Sequence, residues 1–416
     1  MAPLTSYSRQ LITKLNDTFI ALRHRNYRLW FFGQLISLVG TWMQTTAQGY
    51  LVFELTHDPA YLGYVAFATG IPTLIFALYG GVISDHLPRR TLLLYTQLIM
   101  MILALILSLL VFMSVVQPWM IIVLAFLLGV ANSFDGPARL SFVVELVDRA
   151  DMPNAIALNA SMFNLATVVG PAVSGITYAI FGAAWCFLIN GLTFIAVIVG
   201  LIMMRIQPLP QRTRKQSALA EIKEGFQFVL HSDTQRTIFI YLSLVGMLGM
   251  GLVALLPAWA NTVLGGDVTY NGYLLSARGV GSLVAALLLA YMVSKQIKGL
   301  LWSIGGIVMS ISLVIFSLMT SLSSSLLLIV VVGFGFMLAV NGSNALIQTY
   351  VSDELRGRVM AIYSLILFGF SSMGSLVLGL VASWTNEQVA VGMGGLLLVL
   401  VTAFIQITKP EMRQLK

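Results

Sequence analysis

The sequence predicts an all-α integral membrane protein whose twelve transmembrane helices form two pseudo-symmetric six-helix bundles. Three observations predict it. Of 416 residues, 58% are hydrophobic and 9% charged, and the mean hydropathy is +0.91, whereas a soluble domain carries about 25% charged residues. The apolar residues fall in runs that match the roughly 20 needed to cross a hydrocarbon core of about 30 Å. The basic residues collect on alternate connections, the pattern that retention of Lys and Arg in the cytoplasm leaves behind. A membrane barrel would instead show alternating segments of about 10 residues.

In order, the first run is Leu29–Phe53, preceded by Arg9, Lys14, Arg23, Arg25 and Arg28. Tyr61–Ile83 is followed by Arg89 and Arg90, and Thr91–Val116 by Trp119–Val144, with Arg139 and Arg149 around the end of the latter. Ala155–Phe181 and Ala184–Met204 complete the first six. The connection that follows holds Arg205, Arg212, Arg214, Lys215, Lys223 and Arg236. Thr237–Trp259 and Tyr273–Val293 come next, with Lys295 and Lys298 after them. Leu300–Thr320 and Leu326–Ile347 lead to Arg356 and Arg358; Val359–Ala382 and Val389–Ile407 lead to Lys409, Arg413 and Lys416. The opposite connections carry Glu54, Asp58, Asp267 and Glu387. Of 23 basic residues only Arg278 is left inside a span rather than towards its end.

Both termini are therefore expected in the cytoplasm, and the isoelectric point near 9.5 reports membrane topology rather than nucleic-acid binding. The first apolar run follows a polar, basic stretch of residues 1–28, so a cleavable signal is not expected and the first span is read as retained. Cys186, the one cysteine, can make no intrachain disulfide.

The one long connection divides the chain into 29–204, a linker 205–236, 237–407 and a tail 408–416. Internal similarity supports the division. Gly63, Tyr64, Gly70, Leu74 and Ala77 recur as Gly272, Tyr273, Gly279, Leu283 and Ala286 at an offset of 209. Val147, Ala157, Gly170 and Gly175 recur as Val351, Ala361, Gly374 and Gly379 at an offset of 204. Repeated halves with a site between them are a transporter architecture. Within the linker, Leu219, Ile222, Phe226 and Val229 share one helical face and Glu221, Lys223 and Glu224 the other, which predicts an amphipathic helix over Ala218–Leu230, lying on the inner leaflet or against the bundle.

Three motifs carry a family resemblance. Gly81-Val-Ile-Ser-Asp85-His86-Leu87-Pro88-Arg89-Arg90 ends the second span; a carboxylate there can hold basic side chains and the positive N-terminus of another helix. Gly170-Pro171-Ala172-Val173-Ser174-Gly175 lies in the fifth, where small residues allow close approach and Pro removes a backbone donor. The third runs from Phe134-Asp135-Gly136-Pro137-Ala138-Arg139 through Val144-Glu145-Leu146-Val147 to Asn154-Ala155-Ile156-Ala157-Leu158-Asn159. Together these resemble the major facilitator superfamily, in the bacterial branch that includes drug-proton antiporters and the enterobactin exporter; His86 and Pro88 depart from its loop pattern. The resemblance implies the major facilitator fold, a cytoplasmic gate at Gly81, Asp85, Arg89, Arg90, Asp135 and Arg139, and an antiporter-like motif at Gly170, Pro171 and Gly175. It further implies proton-coupled efflux of amphipathic molecules from a bacterial inner membrane. An uptake permease or facilitator, and a receptor or scaffold that has lost transport, are the alternatives.

Polar residues inside spans are expensive and so informative. Gln34, Ser37, Thr41, Gln44, Thr45 and Gln48 make one stripe on the first span. Asn341, Asn344 and Gln348 lie in the tenth. In the family's fold these helices line the central cavity, so the two sets are candidate cavity walls; ordinary interhelical hydrogen bonding is the competing reading. Asp135 and Arg139, four apart, can pair, and Asp135 is either a structural partner or the carrier of a coupling proton. Arg278 either attracts an anionic group or snorkels to the outer headgroups. The sequence holds no His and Cys cluster with metal spacing and no phosphate loop, so neither an enzyme, a metal nor another cofactor is expected. The expected partners are a small-molecule substrate, a proton and the bilayer, with the chain acting as a monomer.

Overall fold

The computed structural model describes residues 18–205, 218–292 and 297–415, with 77–86, 218–222 and 353 as backbone alone. A 3-10 turn at Ile20–Arg23 leads into α1 (Arg25–Thr56), α2 (Pro59–His86), α3 (Arg89–Phe112), α4 (Pro118–Val143), α5 (Met152–Phe181) and α6 (Ala183–Met203). The linker helix α7 (Ala218–His231) follows, then α8 (Asp233–Val263), α9 (Val268–Met292), α10 (Lys298–Ser317), α11 (Leu322–Thr349), α12 (Asp353–Trp384) and α13 (Glu387–Thr408). Eleven of these are long and apolar enough to cross a membrane. The exceptions are α7, with 14 residues, and α1, which has 32 but spends many of its positions on the amide and hydroxyl stripe. Packing against α5 and α6 nevertheless places α1 inside the bundle.

The two halves repeat one packing pattern. In the first, α2 packs on α4, α1 on α5 and α6, and α3 on α4 and α6. In the second, α9 packs on α11, α8 on α12, and α10 on α11 and α13. The sequence offsets pair α2 with α9 and α5 with α12, in register with this repeat.

Two seams join the halves, α2 against α12 and α5 against α9, and both are backbone contacts. A Cβ on Gly272 would stand 2.6 Å from the Pro171 carbonyl, one on Gly279 2.9 Å from that of Thr167, and one on Gly63 2.9 Å from that of Ser375. Only glycine lets helices meet so closely. Pro171 has no N–H, so the Thr167 carbonyl one turn back loses its helical partner and is left to face Gly279. The Ser276 hydroxyl donates to the Val168 carbonyl at 2.7 Å across the same seam. These contacts lie in the halves of the helices remote from the linker. On the linker side of α5, Ile156, Ala157, Ala160 and Ser161 are exposed. Among the described residues, the close seam contacts thus hold the bundles together from mid-helix to the end remote from α7.

The linker helix docks on the second bundle rather than lying free. Gly225 meets Arg358 and Ile362 of α12, Val229 is buried, and Glu224 pairs with Arg358 at 2.6 Å. The buried face is turned slightly from the expected one: Phe226 is 48% exposed, because the close approach is made by the glycine beside it. The side chains of Leu219 and Ile222 lie outside the described residues.

Candidate functional site

The polar stripe of α1 faces into the first bundle and borders a cavity of about 200 Å³. Gln34, Ser37, Thr41, Gln44 and Thr45 form one wall; Gln97 of α3, Asn132, Asp135 and Arg139 of α4, Phe163 of α5 and Asn190 of α6 form the others. The α1–α6 corner is set by size. A Cβ on Gly40 would stand 2.6 Å from both the Asn190 and the Thr193 side-chain oxygens, and the approach this glycine allows lets the Asn190 amide donate to Gln44 Oε1 at 2.6 Å.

Asp135 is 1% exposed. Thr96 Oγ1 donates to its Oδ1 at 2.8 Å and Gln97 Nε2 at 2.9 Å, while Arg139 Nε stands 3.6 Å from Oδ2. Most of the carboxylate's support is therefore neutral, from α3, with a distant i+4 guanidinium. Gln34 Nε2 and Gln97 Oε1 are buried with no partner among the described residues, and both residues border the cavity. A buried donor and a buried acceptor left open in one cavity are hydrogen-bonding capacity reserved for water or a ligand.

The expected gate divides. Gly81 and Asp85 fall in the stretch described as backbone alone, so their part in it lies outside the described residues. Arg89 Nη1 donates to Glu145 Oε1 at 2.5 Å and Arg90 Nη2 to the Ile202 carbonyl at 2.9 Å, tying α3 to the ends of α4 and α6 within one bundle. Asp135 and Arg139, expected with them, border the cavity. Glu145 belongs to the third sequence motif, which does not disclose Arg89 as its partner. His24 and Asp151 (2.7 Å) and the Tyr27 hydroxyl donating to the Ala155 carbonyl (2.8 Å) brace the same edge.

The other candidates stand apart from this cavity. Gln48 is buried but does not border it. Asn341, Asn344 and Gln348 lie on α11 in the second bundle, where Gln348 Nε2 donates to Asn344 Oδ1 at 2.5 Å. Gly170 packs on Val39 and Trp42 of α1, and Gly175 on Val268, Thr269 and Gly272 of α9, so the Gly-Pro motif wedges α5 between the cavity wall and the opposite bundle. Arg278 does not snorkel. It is 9% exposed, with Nη2 3.0 Å from Met250 Sδ and its guanidinium 5.2 Å from the Phe336 ring centroid.

Two six-helix halves of like packing, joined along close glycine seams and carrying a polar cavity in the first half, define a membrane transporter of the alternating-access class. The chain belongs to the transmembrane secretion effector family of the major facilitator superfamily, whose sequence profile matches residues 16–415. It is 24% identical to the staphyloferrin A transporter of Staphylococcus aureus over 85% of this chain and 89% of that one. It is 25% identical to the multidrug efflux pump Tap of Mycolicibacterium fortuitum (92% and 95%), and 23% to the enterobactin exporter EntS of Shigella boydii (94% and 94%). Among solved structures, a bacterial homologue of the human lysosomal transporter Spinster, inward-facing and unoccupied, superposes with a TM-score of 0.71 at 14% identity over 94% and 96% of the chains. The nucleoside transporter NupG gives 0.72 at 16% over 94% and 99%. At these identities the superpositions speak for the fold.

Proposed function

We propose that this transporter is a proton-coupled exporter of amphipathic small molecules, taking substrate from the linker side, which is the cytoplasmic face of a bacterial inner membrane. The observation that carries the reading is the cavity itself: an amide-lined, nearly uncharged space with open hydrogen-bonding positions at Gln34 and Gln97 and one buried carboxylate. Relatives named as an efflux pump and a siderophore exporter support the direction.

The bodies that rock are 29–204 and 237–407, working as a single chain. Asp135 carries the proton. Its neutral donors, Thr96 and Gln97, hold Oδ1 and leave Oδ2, beside Arg139, as the atom that gains or loses it. Gln34, Thr41 and Gln44 meet the substrate from α1; Gln48 supports that wall, and Asn341, Asn344 and Gln348 meet the substrate from α11 as the halves close. Gly81, Asp85, Arg89 and Arg90 form the linker-side gate, and Gly170, Pro171 and Gly175 keep the opposite seam tight against leak.

The test is uptake of a panel of lipophilic cations and siderophore-like compounds into inverted vesicles with an imposed proton gradient. Accumulation that appears with the gradient and collapses with an uncoupler is expected; gradient-driven flux in the opposite direction would replace export by uptake. That second reading is favoured by one feature: the α1 and α8 spans carry acidic residues only near their ends, Glu54 and Asp233. Topology is checked separately with reporters at Gly265, expected outside, and Gln216, expected inside. A cytoplasmic signal from Gly265 would overturn the orientation.

A further inference from the structure

Arg278 has no task in the cycle described so far, yet it is the most unusual charge in the molecule. It lies ten residues into α9, about 15 Å along the helix axis, more than nine-tenths buried, and no carboxylate among the described residues pairs with it. Its neighbours are a thioether and an aromatic face, which shield a guanidinium without neutralising it. Buried charges kept for structure are normally paired, and an unpaired one inside a membrane points to a task.

The two residues that cover it say what the task is. Met250 belongs to α8 and Phe336 to α11. By the repeated packing pattern these helices are the counterparts of α1 and α4, which supply most of the residues that line the polar cavity in the first bundle. Arg278 therefore sits behind the wall that the second bundle offers to the same substrate. The cover also stands on an irregular stretch of α8. Met250 ends a wide π-type turn, Val245–Met250, that contains Gly246 and Gly249. Gly249 is in contact with Met309 and Phe336. Wide turns of this kind recur at functional sites, and Met is the most adaptable apolar side chain.

We propose that Arg278 is a covered binding point for the carboxylate of an anionic amphipathic substrate, with Met250 and Phe336 as its lids. The planar guanidinium fork donates bidentately to a carboxylate, and the apolar lids take up the substrate's hydrocarbon once displaced. The proposal rests on the transport reading and narrows it to substrates that bring their own negative charge.

The test uses full-length protein in phosphatidylcholine nanodiscs and three probes with one apolar body: pyrenebutyrate, pyrenebutanol and pyrenebutyltrimethylammonium. Wild type is expected to bind the butyrate about tenfold more tightly than the other two. Arg278→Gln should abolish that preference and Arg278→Lys should keep part of it. Equal binding of all three probes, or a preference that survives in Arg278→Gln, overturns the proposal. Phe336→Ala, which keeps the guanidinium and removes a lid, is expected to speed association of the butyrate severalfold and leave the butanol unchanged. If Arg278→Gln does not fold, this variant decides, and an unchanged rate overturns the proposal. Binding is read without a gradient. Anion preference without vesicle flux would sink export alone, and gradient-driven flux of the cationic probe without anion preference would sink this inference alone.

Discussion

Asp135 and Arg139 are one helical turn apart on α4, and the carboxylate's closer partners are Thr96 and Gln97 of α3. Asn at position 135 can keep the α3 contacts, since its oxygen still accepts from both donors, while losing the ability to bind and release a proton. Asp135→Asn is thus expected to fold and bind like wild type, to lose gradient-driven accumulation by about tenfold or more, and to retain downhill equilibration. Full proton-coupled transport by this variant would end the coupling role. Asp135 was legible in the sequence because a carboxylate inside an apolar run is costly and must be compensated. The pairing of Glu145 was not, since it lies at the end of such a run, where a charge is cheap and its partner Arg89 is distant in sequence. Gln97 was missed for a similar reason: one amide in an apolar helix has no periodic companions, and its relation to Asp135 exists only once α3 lies beside α4.

At the level of the helix, docking of α7 on α12 is a contest between an ion pair and a packed surface. Glu224 and Arg358 are partly exposed, at 52% and 23%, and such pairs contribute about 0–1 kcal/mol. The glycine contact is less forgiving. A Cβ on Gly225 would lie 3.1 Å from Ile362 Cδ1 and 3.2 Å from Arg358 Cβ, and a branched side chain would extend further into α12. Overpacking of this kind costs about 1–3 kcal/mol. Gly225→Val is therefore expected to release the helix, seen as a rise in spin-label mobility at Gln227 in liposomes, whereas Glu224→Gln changes mobility little. High mobility in the unaltered protein would refute docking. Periodicity predicted the helix almost to the residue, but its buried face was read from the large apolar side chains. A glycine that lets a helix approach leaves no mark on a hydrophobic pattern.

For the molecule as a whole, the described seam contacts lie away from the linker, and the two halves must separate there for the cycle to turn. A Cβ on Gly70 of α2 would lie 2.5 Å from Ser372 Cβ of α12, inside the roughly 3.5–4.5 Å of a relaxed disulfide, so a bridge can form there once the helices part by about 1 Å. Oxidation of the paired substitutions Gly70→Cys and Ser372→Cys is expected to stop transport almost completely, and reductant to restore it. Transport that continues through the oxidised pair would mean that this seam does not open. The twelve-span plan and its division into halves were legible from hydropathy, charge placement and two sequence offsets, because the bilayer dictates span length and the repeat preserves register. Where the seam contacts lie was not legible, since one sequence serves both states of the cycle and only side chains brought into contact reveal which is present.

The polar stripe that gives α1 its cavity face also has a consequence for how the protein is made. A ribosome delivers α1 before α6 has brought Asn190 to pair with Gln44. Its hydropathy falls short of the standard that the other eleven spans meet, and its amides have no partners of their own while it is alone in lipid. Of the described spans, α1 is therefore the one least able to settle in the membrane unaided. Gln44 of its amide stripe is satisfied only by a helix synthesised more than a hundred residues later, the one that carries Asn190.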